Sequence, residues 1–331
     1  MTKLAAFFLL LILIPVSSIA GDESNPLIRV GVLKFGTVNW ELDVLKHHGL
    51  GEKYGVNVKV IPLASKNSSS VALLGGAVDV IVTDWIWVSR MRADGKAYTF
   101  FPYSMTVGSL YVRPDAGIDS LEKLQGKKLG IAGGPVDKSW LLLRAYAQAK
   151  LGIRLAETVE PTFAAPPLLN QLMLRGDIEA GLNFWHYGAR LEAAGMRPLI
   201  KVTDLIRGLG IEAPVPLLGW VFDEKWAEGH GDTVVNFLRA SYAAKRLLAE
   251  SDSEWERLRP LTKAEDDITL YALRDAYRAG IPQRFSDEEI KAAEAVFAIL
   301  AREGGEKLVG KSDALSKGTF WTTVTPEGLT P

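Results

Sequence analysis

Two short stretches place a polar side chain and a tryptophan directly after an apolar run, and they lie 100 residues apart in the chain. One ends in Thr83-Asp84-Trp85 and the other in Asn183-Phe184-Trp185. Carboxylates and amides hydrogen-bond to polar groups, while an indole stacks on flat rings and attracts cations. These residue types predict a binding site for a small organic molecule.

The segments that precede these residues predict how they are positioned. Each tryptophan follows a leucine-rich helical pattern, a glycine (Gly76 or Gly176) and an apolar run of strand length. Glycine fits the left-handed end of a helix. Ligands of open α/β sheets lie outside the carboxyl ends of the strands. The repeat therefore predicts two related lobes whose strand ends face each other across a cleft, although helix-glycine-strand is also a common unit of any doubly wound domain.

The rest of the chain predicts an α/β fold with a discontinuous first lobe. Apolar, β-rich segments near residues 110 and 218 indicate two crossings between the lobes. Residues 27–110 and 218–331, with the C-terminal helices, would form lobe 1, and residues 111–217 would form lobe 2. We expect the hinge at the two crossings.

The N-terminus has the layout of a secretory signal. Lys3 precedes an apolar run at residues 4–14, and small residues lead to Ala20. The run is too short to span a bilayer, which requires about 20 apolar residues. We therefore predict a signal peptide at residues 1–20, a mature chain that begins near Gly21 and a periplasmic location.

Composition excludes several classes of site. The chain has no cysteine, which excludes disulfides, thiolate metal sites, cysteine nucleophiles and a lipid-modified N-terminal cysteine. The formal net charge is −1, without a long basic run, so nucleic-acid binding is not expected. The four histidines lack the spacing of a zinc motif, and no nucleotide-binding motif is present. We expect no metal and no cofactor, and a monomeric protein.

Three segments give the sequence a family resemblance. They are residues 48–56 (HGLGEKYGV), residues 72–80 with their Gly-Gly-Ala-Val-Asp motif, and residues 118–131 (IDSLEKLQGKKLGI). The chain resembles the periplasmic solute-binding proteins of nitrate-, sulfonate- and taurine-type ABC importers, a group that includes thiamine-precursor binders. The resemblance implies a type II periplasmic-binding-protein fold, in which two crossover strands join two lobes and the ligand lies between them.

The sequence departs from the commoner family pattern at two strand ends, which leaves the ligand open. Residues 64–68 lack the glycine often found there, and residues 83–85 replace the small residues of many relatives. Residues 133–139 open through two glycines onto a helix N-terminus, which can hold an anion, with Lys138 near. The candidate ligand-binding residues are Lys34, Asn39, Trp40, Asn67, Ser68, Asp84, Trp85, Gly133, Gly134, Ser139, Asn183, Trp185, His186 and Trp220.

Local roles explain some of these residues equally well. The serines at residues 65–70 also fit helix capping, and each tryptophan also fits core packing. The predicted solute is a small polar organic molecule with an anionic group, such as an aminosulfonate, and an aromatic or heterocyclic solute is the alternative.

The predicted function is to present this solute to a membrane permease. Three alternatives stay open: a binder of a pyrimidine-like thiamine precursor, a sensor subunit, and a dehydratase-like enzyme on the same fold. The enzyme would use Asp84 and His186 as an acid/base pair. The sequence shows no other catalytic constellation, and we therefore predict a binding protein, not an enzyme.

Overall fold

The computed structural model describes residues 25–329, so the predicted signal segment lies outside the described residues. Within them, no helix has both the length and the apolar character needed to cross a membrane. The strands are β1 Leu27–Leu33, β2 Asn57–Leu63, β3 Val80–Thr83, β4 Tyr98–Ser104, β5 Gly108–Val112, β6 Lys128–Ala132, β7 Glu160–Ala164, β8 Ala180–Phe184, β9 Arg197–Lys201 and β10 Leu218–Asp223.

Helices surround the strands, and most of the chain after β10 is helical. The α-helices are α1 Val38–His47, α2 Leu50–Lys53, α3 Lys66–Leu74, α4 Trp85–Ala93, α5 Lys138–Leu151, α6 Leu155–Thr158, α7 Pro166–Arg175, α8 Trp185–Ala193, α9 Val202–Gly208, α10 Glu224–Gly229, α11 Gly231–Glu250, α12 Asp252–Thr262, α13 Asp267–Ala279, α14 Asp287–Gly304, α15 Glu306–Val309 and α16 Pro326–Leu329. Two short 3-10 helices, Pro114–Ala116 and Glu122–Leu124, precede β6.

The strands form two five-stranded sheets of the same design, one in each lobe. The first has the order β2-β1-β3-β10-β4 and the second β7-β6-β8-β5-β9. Strand β1 pairs in parallel with β2 and β3, and β6 pairs in parallel with β7 and β8. The returning strands, β10 and β5, are antiparallel to both of their neighbours. The predicted two-lobe α/β fold is confirmed.

The sequence repeat corresponds to equivalent parts of the two sheets. Helix α3 leads through Gly76 into β3, and helix α7 leads through Gly176 into β8. Both glycines adopt left-handed backbone angles, with φ of 68° and 84°. At the other end of each strand, Trp85 begins α4 and Trp185 begins α8. The repeat thus marks two related lobes.

The chain crosses between the sheets where β4 ends at Ser104 and β5 begins at Gly108, and it returns at Leu218. The helices after β10 contact both lobes, because α11 packs on α1 while α13 packs on α8 and α14 packs on α5. These contacts hold the second lobe against the C-terminal helices.

Candidate ligand-binding site

A small cavity lies where the two lobes meet. Its wall includes the second-lobe residue Trp185 and first-lobe residues from five separate segments. The lining residues are Thr37, Val38, Tyr103, Ser104, Trp185, Leu218, Lys245, Tyr277, Gly280 and Ile281. The cavity measures about 30 Å³, which leaves room for roughly one or two water molecules. The structure is therefore a closed form without space for an organic solute.

Aromatic rings from the two lobes meet at this cavity. Trp185 contacts Trp40 of α1 edge-to-face, with 5.9 Å between ring centroids, and lies 6.3 Å from the ring of Tyr277. Trp40 also packs edge-to-face on Trp255 at 5.8 Å. Trp40 and Trp185 are both buried, at 5% and 8% exposure. Two of the predicted site tryptophans are thus brought together, from opposite lobes.

Trp85 and Trp220, by contrast, are core residues with 0% exposure. The Trp85 indole N–H donates to the carbonyl of Pro216 at 2.9 Å, and its ring packs on Phe297 of α14. The Trp220 indole N–H donates to Ser241 at 3.2 Å. The prediction that these two rings face the cleft is wrong, because their helix or strand turns them into the apolar core and the protein satisfies both N–H groups.

A buried ion pair forms the first-lobe side of the cavity. The Lys245 ammonium donates to Glu41 Oε2, and both residues are almost fully buried. Glu41 also accepts from Ser241 at 2.5 Å through Oε1 and from Tyr277 at 3.0 Å through Oε2. The Lys245 ammonium lies 3.6 Å from the ring centroid of Tyr103. Burial lowers the pKa of Lys245, and the Glu41 charge opposes that shift.

Sequence reasoning missed this ion pair, although one signal was present. Helix α11 buries a stripe at helical spacing that includes Val234, Phe237, Leu238 and Leu248. Lys245 falls on the same stripe. A lysine at a core position requires a partner, because an unpaired buried charge is costly.

The predicted anion site at Gly133 and Gly134 is filled by the chain itself. Asp137 precedes α5, and its Oδ1 accepts from the backbone N–H groups of Ser139 at 3.0 Å and Trp140 at 3.2 Å. The Asp137 carboxylate thus accepts the hydrogen bonds that these N–H groups could give to an anionic ligand. Its negative charge also repels a second anion. In this structure the Ser139 N–H is therefore taken by Asp137, and the Gly133 N–H donates to the Ala164 carbonyl at 3.1 Å.

Asp84, one of the predicted ligand-binding residues, makes an ion pair across the lobes. It accepts from the Trp87 backbone N–H at 3.0 Å, and its Oδ2 lies 3.0 Å from the Lys138 ammonium of the second lobe. Burial by itself would raise the pKa of Asp84, but the charge of Lys138 and the hydrogen bond from Trp87 outweigh burial and lower it. The ion pair thus joins residues of the two lobes.

Asp84 is already paired with Lys138 and does not pair with His186. The His186 ring lies against Trp185, with 5.4 Å between centroids, and Nδ1 has no hydrogen-bond partner within residues 25–329. Burial, assisted by the charge of Arg190, lowers the pKa of His186 to about 4. The acid/base pair that the enzyme alternative required is not formed.

Asn183 is buried and serves the second lobe. Its amide donates to the Pro166 carbonyl at 3.0 Å and to Asn170 at 2.8 Å, and its oxygen accepts from the Phe184 N–H. Every polar atom of the side chain is thus used locally. The predicted ligand contact through Asn183 is wrong in this structure, because the side chain ties β8 to α7.

The remaining predicted site residues also make local contacts or face solvent. The Asn39 amide donates to two carbonyls of the preceding turn, at 2.9 and 2.7 Å. Ser68 forms a capping box with Ser65 at the start of α3, the alternative that the sequence left open. Lys34 and Asn67 are exposed. None of these residues lines the cavity.

One group of possible metal ligands occurs among the described residues, away from the cavity. His47, His48 and Glu254 bring ligand atoms within 4.8 Å of one another. The Glu254 carboxylate lies 3.0 Å from His48 and is also paired with Arg257. The contact between His48 and Glu254 links the end of α1 to α12, while the pair of Glu254 and Arg257 lies within α12.

Solved structures share this fold at low sequence identity. The alkanesulfonate-binding protein SsuA from Xanthomonas axonopodis pv. citri bound to MOPS is 18% identical, with a TM-score of 0.67 over 89% of this chain and 98% of that one. The periplasmic aliphatic sulphonate binding protein SsuA from Escherichia coli is 18% identical, with a TM-score of 0.69 over 89% and 92%. A mutant of DszB in complex with biphenyl-2-sulfinic acid is 13% identical, with a TM-score of 0.59 over 85% and 93%.

The sequence comparisons identify the family. No curated protein sequence matches the chain. The family model described as NMT1/THI5 like matches residues 44–252, which contain the second lobe and much of the first. That match covers more than half of the protein. The chain belongs to the NMT1/THI5-like family.

Proposed function

We propose that this protein is the solute-binding component of an ABC importer. It would capture a small polar organic solute between its lobes and deliver it to a membrane permease. The observation that carries the proposal is the cavity at the meeting point of the lobes, where Trp185 of the second lobe faces Tyr103 and Lys245 of the first. Lobe closure around a ligand is a common use of such an architecture.

The solute class follows from the neighbours and from the cavity together. Two solved neighbours are named for alkane- or aliphatic sulfonates, and one of them holds MOPS. The cavity of this chain combines the positive charge of Lys245 with an aromatic wall. A sulfonate, taurine-like or related anionic solute with a short organic body suits that combination.

The cellular setting is part of the same proposal. Residues 1–20 have the layout of a secretory signal, and the neighbour from Escherichia coli is described as periplasmic. We propose that the mature protein works as a monomer in the periplasm, with a permease of the inner membrane as its partner. N-terminal sequencing of the protein from a periplasmic extract would find a start near Gly21, and an intact Met1 would contradict the location.

The experiment that tests the function is thermal unfolding against a panel of sulfonates, carboxylates, amines and heterocycles. A solute at about 100 times its Kd adds about 2.7 kcal/mol to the free energy of unfolding. In a protein of this size that addition raises the melting temperature by several degrees. A panel in which no solute changes the melting temperature would contradict the proposal.

An enzyme on this fold is the second candidate. The neighbour DszB was solved with biphenyl-2-sulfinic acid, and the Glu41–Lys245–Tyr277 network contains groups that can transfer protons. The binding-protein and enzyme hypotheses can be distinguished by incubating the protein with the solute that stabilises it and then recording NMR spectra of the solute. A binding protein returns the solute unchanged, whereas accumulation of a product would favour the enzyme.

A further inference from the structure

The hydroxyl of Tyr103 is buried at the cavity without a well-formed hydrogen bond. Tyr103 is 3% exposed, and its oxygen has no hydrogen-bond partner within residues 25–329. Glu41 and Tyr277 lie near, and burial together with the Glu41 charge raises the pKa of Tyr103 well above its usual value. The hydroxyl therefore stays protonated and can donate. A buried hydroxyl without a partner loses the hydrogen bond that water would give it.

The nearby Glu41 carboxylate accepts well-formed hydrogen bonds from three other groups, so the Tyr103 hydroxyl makes only weak contacts with Glu41 and Tyr277. Glu41 accepts from Ser241, Lys245 and Tyr277, and its charge is balanced by Lys245. The Lys245 ammonium has three N–H donors, one of which it gives to Glu41. Tyr103 and Lys245 both line the cavity. Tyr103 and Lys245 therefore offer hydrogen-bond donors to an incoming solute. The acceptor beside them, the Glu41 carboxylate, already accepts from three groups.

Two other cations near the cleft already have partners. Lys138 is paired with Asp84 across the lobes, and the adjoining helix N-terminus is capped by Asp137. Arg190 donates to the carbonyls of Thr262 and Lys263. Among the residues that line the cavity, Lys245 carries the positive charge.

We propose that Tyr103 and Lys245 recognise the anionic head group of the solute, with the hydroxyl donating to one oxygen and the ammonium to another. Trp185 closes over the organic body from the second lobe. Glu41 keeps Lys245 charged and paired while the site is empty, since an isolated buried ammonium would be costly. The inference rests on the proposed function and adds the two residues that hold the anionic group, which would be a sulfonate, phosphonate or carboxylate.

Tyr103→Phe is the test, because it removes only the hydroxyl. Binding is measured by calorimetry with ethanesulfonate, ethylphosphonate and propionate, and with ethanesulfonamide as an uncharged counterpart of the first. We expect the variant to fold with little change in stability, since the lost hydroxyl makes only weak contacts with Glu41 and Tyr277. Affinity for the preferred anion should fall roughly 10- to 100-fold, as for a hydrogen bond to a charged group.

Two further tyrosine variants serve as matched controls. Tyr242→Phe removes a buried hydroxyl of the same lobe that does not line the cavity, and it should leave affinity unchanged. Tyr277→Phe removes a donor to Glu41, so it should lower stability, unlike Tyr103→Phe. These controls separate loss of ligand contact from general disturbance of the network.

The role of the Lys245 charge is tested by replacing both Lys245 and its partner Glu41. The double variant Glu41→Gln/Lys245→Met leaves neither charge buried alone, which avoids the large cost of breaking such a pair. We expect it to lose the preference for ethanesulfonate over ethanesulfonamide. A retained preference would overturn the role of Lys245.

The results distinguish this inference from the function on which it rests. Wild-type affinity of Tyr103→Phe for the preferred anion would overturn the inference, as would binding of only neutral or cationic solutes by the wild-type protein. In the second case the solute-binding function would stand without an anion site. Failure of every solute, charged or neutral, to bind the wild-type protein would overturn both.

Discussion

At the residue scale, the two tryptophans of the repeat have different roles despite their equivalent positions. Trp185 lines the interlobe cavity, whereas Trp85 is enclosed by the core. We predict that Trp185→Ala weakens solute binding by about 1–3 kcal/mol through lost burial and stacking. Trp85→Ala should instead lower the free energy of unfolding by about 3–5 kcal/mol, the range for a large buried side chain.

Urea unfolding and solute titration on the two variants decide this point. The reference solute is the one that raises the melting temperature most in the panel. If Trp185→Ala bound the solute as tightly as the wild type does, Trp185 would not be part of the binding site. A weaker solute affinity in folded Trp85→Ala, at unchanged stability, would contradict its assignment to the core.

Most individual site residues could not be predicted from the sequence, for a physical reason. Polar residues at strand ends serve either a ligand or the adjoining helix, and Asn39, Ser68 and Asp137 serve local turns and caps. The decisive contact, Glu41 with Lys245, joins residues 204 positions apart. Such a pair depends on how α11 packs on α1, which local patterns do not contain.

At the scale of elements, the repeat was predictable because its signals are local. A helix that ends at a left-handed glycine and runs into a short apolar strand can be recognised within a dozen residues, and Gly76 and Gly176 confirm it. The predicted C-terminal helices are also present beyond Asp223. The packing of α13 and α14 on the second lobe was not predicted, because an apolar helix face does not specify its partner.

The N-termini of α4 and α5 are joined across the lobes by the ion pair between Asp84 and Lys138. Both side chains are partly buried, at 17% and 24% exposure. We predict that Lys138→Gln weakens the closed form by roughly 1 kcal/mol, which raises the ratio of open to closed molecules about fivefold. The measurement is the radius of gyration by small-angle X-ray scattering without solute.

A matched control for this variant is available within the second lobe. Lys123 forms an exposed ion pair with Asp119 at 2.6 Å that does not cross the cleft. Lys123→Gln should leave the scattering curve unchanged, while Lys138→Gln should increase the radius of gyration. If both variants scatter as the wild type does, the Asp84–Lys138 pair does not hold the lobes together.

At the scale of the whole molecule, the structure is a closed form that must open to admit a solute. Its interlobe cavity of about 30 Å³ is too small for an organic molecule. Opening requires the Trp40–Trp185 contact to separate and the chain to bend near residues 105–107 and before Leu218. A solute that contacts both lobes would stabilise a closed arrangement whose cavity is wider than this one, by its differential affinity for that arrangement over the open form.

The distance between the lobes, with and without solute, tests the central claim most directly. The chain has no cysteine, so Lys59→Cys and Glu160→Cys place two unique spin labels at exposed positions on edge strands β2 and β7. We predict a broad distance distribution, with an open population, in the absence of solute. In the presence of the solute that raises the melting temperature, the distribution should narrow to a single, shorter distance that corresponds to closed lobes. An identical distribution with and without that bound solute would contradict a protein that closes its lobes on a ligand.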